Sequence, residues 1–180
     1  MRTWSTAERL LRRDAAQAVG CDVAAPLRPL VAAVGTDRPS AVIALRGLDP
    51  DRPSRTVCEL VLLAAAFRPD RVLIGTAVPD TPARRQGAIV VHDLQVVADG
   101  LVEVTRAWGW RRLGRRVLCL PVELRRWQTV DGLEADVARA TIEQRPAVPE
   151  PALLRELLDR SAAAGHRVRL AADRGVVGRT

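Results

Sequence analysis

The pattern of apolar and polar positions divides the chain into a short series of elements. Ser5 and Glu8 have the S-x-x-E spacing of a capping box, and the helix it predicts runs to about Val19. Leu10, Leu11, Ala15, Ala18 and Val19 share one face of that helix, and Gly20 is a stop signal. Pro26 opens a second short helix predicted over 26–34. Residues 41–45 are continuously apolar and read as a buried strand. Ser54 caps a predicted helix over 55–67, apolar on most of its sides and therefore expected to lie centrally against a sheet. Residues 71–76 read as the next strand.

The clearest local signal lies further on. Two strand-like runs, 88–98 and 101–108, flank Asp99-Gly100. An Asp-Gly pair suits a two-residue hairpin turn because both central positions take positive φ. With that turn, paired positions sum to 199, so that Val97 faces Val102, Gln95 faces Val104 and Asp93 faces Arg106 as a cross-strand ion pair. A third strand, 116–124, follows a turn near Leu113-Gly114, which makes 88–124 a three-stranded antiparallel meander.

Asp131 and Glu134 form a second capping box, ahead of a helix to about Gln144 with Leu133, Val137 and Ala140 on one face. Residues 146–151 are a short Pro-rich linker, and Pro151 suits the first turn of a helix striped by Leu153, Leu154, Leu157 and Leu158. Gly165 ends it, Val168 and Leu170 alternate as a final short strand, and 173–180 reads as a frayed tail. The expectation is one α+β domain over 1–180. Its sheet is antiparallel or mixed, packed by the central apolar helix and by N- and C-terminal helices.

Composition narrows the chemistry. All 28 basic residues are Arg, and Lys, Asn and Tyr are absent. A GC-rich coding bias replaces Lys by Arg, so the pI of 11.1 says less about nucleic acid than its size suggests. The absences exclude a Schiff-base or Walker-type lysine and a tyrosine acid. Cys21, Cys58 and Cys119 form no C-x-x-C pair, which speaks against a disulfide framework or zinc finger and for reduced thiols in a cytoplasmic protein. The first eight residues lack the apolar run of a secretion signal. The longest apolar run, 60–67, is far short of the roughly 20 residues a bilayer span needs.

Catalytic constellations are weak. His92 and Asp93 are adjacent on a strand and point to opposite faces. His166 follows a helix end, where histidine commonly satisfies terminal carbonyls. No His, Cys or carboxylate spacing fits a metal, and no cofactor motif occurs. His92, Asp93 and Cys119 are the only residues with which an enzyme reading could begin.

Charge is the feature that stands out. Net charge is +7, and residues 101–130 hold seven Arg against Glu103 and Glu123, or +5 of that total. Coding bias exchanges Lys for Arg but does not move acids away. The predicted binding residues are Arg106, Trp108, Trp110, Arg111, Arg112, Arg115 and Arg116 on the hairpin, with Arg125 and Arg126 after it. Arg forks carboxylate and phosphate, and exposed Trp stacks on bases or on Arg. The surface would suit an acidic protein, a second copy of the chain or, as the alternative, nucleic acid bound without sequence preference. A non-catalytic interaction or regulatory module is the expected function. The nucleic-acid alternative requires at least one of Trp108 and Trp110 to be exposed.

Overall fold

A computed structural model describes residues 3–21, 30–44, 60–64, 67–78, 87–114, 116–123, 133–143, 151–163 and 165–170. Seven strands form one antiparallel sheet. In chain order they are β1 (Leu30–Gly35), β2 (Pro39–Ala44), β3 (Arg71–Val78), β4 (Gly87–Val97), β5 (Gly100–Leu113), β6 (Arg116–Val122) and β7 (Arg167–Leu170). Their spatial order is β6-β5-β4-β3-β1-β2-β7. The helices are α1 (Trp4–Cys21), α2 (described over 60–64), α3 (Leu133–Glu143) and α4 (Pro151–Ala163).

The sheet is covered on both faces. Ala7, Leu11, Ala15 and Ala16 of α1 pack on Val31, Ala33, Val42, Leu73, Ile89, Val91 and Trp108. On the other face, Leu60 and Leu63 of α2 and Val137, Ala138 and Ile142 of α3 pack on Leu30, Ala32, Val34, Ile43, Val72, Ile74 and Leu94, with Leu157 and Leu158 of α4 at the border. The small residues of α1 let it lie close to the sheet. A β-carbon at Gly75 would run into the Leu11 side chain.

Double coverage explains the one misplaced element. Residues 30–34 (Leu-Val-Ala-Ala-Val) belong to β1 rather than to a helix over 26–34. A strand buried on both faces shows no alternation, so its apolar run resembles a buried helix segment. Residues 26–29 lie outside the described residues.

Two local readings are corrected. The α1 cap is Thr3, whose Oγ1 accepts the Thr6 N–H at 3.2 Å, and not Ser5. Glu8 is thereby freed to reach Arg106. In the β4–β5 hairpin the paired positions sum to 197, because Ala98 and Asp99 form the turn and Gly100 is the first residue of β5. Only Gly100 takes positive φ there (135°), whereas an Asp99-Gly100 turn would have needed it at Asp99 too. A slip of two keeps every side chain on its expected face.

Glu134 lies in the first turn of α3, Asp131 lies outside the described residues, and Pro151 is the first residue of α4. Gly165 closes α4 as expected. Its N–H bonds to Ala162 O and that of His166 to Ser161 O, both at 2.9 Å, in a Schellman pattern. The α2 stretch 60–64 is helical with Leu60, Val61, Leu63 and Ala64 buried, in line with a central apolar helix, while 55–59 lie outside the described residues. The linker 146–150 and the tail 173–180 also lie outside them.

Candidate partner-binding surface

The β5–β6 hairpin carries the basic segment, and its two faces have different fates. Cα pairing places Trp108 opposite Ile89 and Pro121, and Trp110 opposite Gly87 and Cys119. Ile89 packs under α1, and so do both tryptophans. Trp108 is 6% exposed in the α1 core, and Trp110 packs against the same cluster. The Trp110 ring fills the space where a Gly87 β-carbon would sit. Both rings therefore take part in packing, Trp108 buried and Trp110 half-buried, where the sequence reading places them on a binding surface.

Arg106 is also occupied. Its Nη2 donates to Glu8 Oε2 at 2.8 Å and to Asp93 Oδ2 at 2.9 Å. Asp93 further accepts Arg71 Nε and Nη2 at 2.9 and 2.8 Å, a two-pronged pair. The expected Asp93–Arg106 pair therefore forms, but diagonally, because Asp93 lies directly opposite Val104. Arg71 lies 4.7 Å over the Trp4 ring, and Arg12 lies 4.6 Å over Trp108. Glu8, Arg12, Arg71, Asp93 and Arg106 thus form one half-buried lattice that binds α1 to β3, β4 and β5. Arg106 is thus engaged in holding these elements together.

The opposite face of the hairpin is open. Leu118 and Leu120 lie two apart on β6 and are 43% and 67% exposed; Leu113, before the turn, is 58% exposed. Arg116 is exposed and has no ion-pair partner among the described residues. Seven of the nine large hydrophobic side chains exposed among the described residues lie on the β4–β6 hairpins: Val97, Leu101, Val102, Val104, Leu113, Leu118 and Leu120. Arg111 and Arg112 sit at register positions opposite Leu118 and Val117. Arg115, Arg125 and Arg126 lie outside the described residues. The leucines were missed in the sequence, although Leu118 and Leu120 at strand spacing in the last strand of a meander were the signal available.

The enzyme residues do not converge. Asp93 lies on the α1 face and His92 on the other. His92 Nδ1 lies 3.2 Å from Thr105 Oγ1 and 3.4 Å from Glu103 Oε1, and Arg139 Nη2 is 3.6 Å from Glu103 Oε2. This chain ties α3 to the hairpin. Cys119 shares the face of Trp110, away from His92 and two strands from it. Burial pushes its thiol above the ordinary value of 9.0, and the Arg12 guanidinium offsets this only in part. That is the environment of an inert thiol. Among the described residues no group of three His, Cys, Asp or Glu side chains could hold a metal, and no helix is long and apolar enough to cross a membrane.

No protein-family model, curated protein or solved structure matches this chain.

Proposed function

We propose that the protein is a non-catalytic, cytoplasmic partner-binding module whose β5–β6 hairpin presents a basic and apolar surface to an acidic partner. One observation carries the reading. The exposed leucines of the described residues concentrate on the β5–β6 hairpin, within the segment 101–130 that holds +5 of the net charge of +7. Apolar patches on a folded surface mark interaction sites, and a single sign of charge beside one selects a partner of the other sign. The binding set is accordingly Leu113, Leu118, Leu120 and Arg116, with Arg111 at a register position on the same face and Arg112 and Arg115 close to it in sequence.

Nucleic acid is the weaker reading. It needs a stacking platform, and both hairpin tryptophans pack under α1. Titration with polyglutamate tests the proposal. Binding that falls at least about tenfold when Arg111, Arg112, Arg115 and Arg116 become Ser is the expected result. Equal binding by that variant contradicts it, as does a preference for mixed-sequence single-stranded DNA over polyglutamate.

A further inference from the structure

β6 is the outermost strand of the sheet, and its far edge has no partner strand among the described residues. The direction of its backbone groups follows from the turn. Leu113 and Arg116 flank a two-residue loop, so they exchange hydrogen bonds with one another. Every second pair repeats this: Arg111 with Leu118, Gly109 with Leu120, Ala107 with Val122. The residues between, Val117, Cys119 and Pro121, turn their backbone groups to the open edge.

Pro121 is therefore placed where its missing N–H costs the β5–β6 ladder nothing. At the open edge it offers a carbonyl alone, whereas Val117 and Cys119 offer both groups. The end of β6 nearest the basic turn can pair fully, and the far end only in part. Side chains add direction: Leu118 and Leu120 stand exposed on one face, and Arg116 follows them at the same spacing.

Resting on the partner-binding reading above, we infer that β6 accepts an extended acidic segment of another protein as an eighth strand. The segment lies antiparallel to β6, as neighbouring strands do throughout this sheet. It sets apolar side chains over Leu120 and Leu118 and then carboxylates at Arg116 and the turn. Its pattern is apolar alternation followed by acids. Main-chain bonds supply affinity, and alternate side chains supply selectivity, as in other strand-addition complexes. Charge argues against a second copy in this position, since each copy brings a net +7.

Three labelled peptides followed by fluorescence anisotropy test the inference. The first alternates valine and threonine and ends in glutamates. The second replaces the glutamates by lysine. The third keeps the first sequence but carries N-methyl groups on alternate amides, which leaves the side chains and blocks strand pairing. The first peptide binds the full chain at low salt, and the other two bind at least about tenfold more weakly. Leu120→Glu, checked for an unchanged thermal melt, weakens the first peptide by a similar factor. Equal binding by the first and third peptides overturns strand addition and leaves the acidic-partner reading standing. No binding by any peptide, with no binding of polyglutamate, overturns both. A doubled mass in light scattering that Leu120→Glu returns to one chain assigns the edge to a second copy and overturns the acidic segment.

Discussion

Asp93 holds three elements at once, because its two carboxylate oxygens receive Arg71 from β3 and Arg106 from β5, and Arg106 also reaches Glu8 on α1. The side chain is nearly buried, so its removal takes from Arg71 the carboxylate it forks and leaves Arg106 with Glu8 alone. Asp93→Ala is expected to cost about 2–3 kcal/mol in urea unfolding, within the range for hydrogen bonds to charged groups. A change below about 0.5 kcal/mol, the level of an exposed pair, would contradict the structural role. Cys119 gives a second residue-scale prediction. Its thiol is raised, so thiolate accumulates only as pH climbs past 9.0 toward the higher folded value. In a variant with Cys21 and Cys58 changed to Ser, alkylation of Cys119 is slow at neutral pH and speeds up on unfolding. Folding stability falls as pH rises through that same window, because deprotonation then favours the unfolded chain. Rapid labelling of the folded protein at pH 7 would contradict burial of the thiol.

Packing of α1 on the sheet rests on a close approach that one methyl group would disturb. Gly75→Ala places a β-carbon in the space of the Leu11 side chain, with Val91 beside it. Overpacking of this kind costs about 1–3 kcal/mol, and Leu11→Ala alone costs about 2–5 kcal/mol. The double variant is expected to lose clearly less than the sum of the two, because alanine at 11 vacates the space alanine at 75 requires. Additive losses in denaturant melts would show that the two positions do not meet. Element type was legible where one face of an element differs from the other: α1, the hairpins, α3 and α4 all follow from periodicity. It failed at β1, where both faces of Leu30–Val34 are buried and no period remains to read. The Asp99-Gly100 signal gave a hairpin with every side chain on its proper face, yet with the pairing displaced by two. Gly100 takes positive φ from the first position of β5 rather than from within the turn.

At the scale of the whole molecule, both faces of the sheet are covered over β1 to β4, while the β5–β6 hairpin has one face packed under α1 and one left open. Arg106, Trp108 and Trp110 fall on the first and Leu118, Leu120 and Arg116 on the second, although all belong to one hairpin. The charge of that hairpin was legible, because it is a property of composition along the chain. The side of each Trp was half legible: spacing put Trp108 and Trp110 on one face, but only tertiary packing decides which face α1 covers. The exposed leucines were not legible as a surface, because leucine on a strand usually signals core, and β6 is exposed only by being last in the sheet.

The claim that the open face of the β5–β6 hairpin receives an acidic partner is tested most directly by amide chemical-shift mapping. The full chain, isotope-labelled, is titrated with the valine–threonine–glutamate peptide. Shifts concentrated between residues 111 and 122, strongest at Val117 and Cys119 whose backbone groups face the open edge, are the result this account predicts. Shifts spread over arginines elsewhere in the chain, or none while the peptide is in excess, would contradict it.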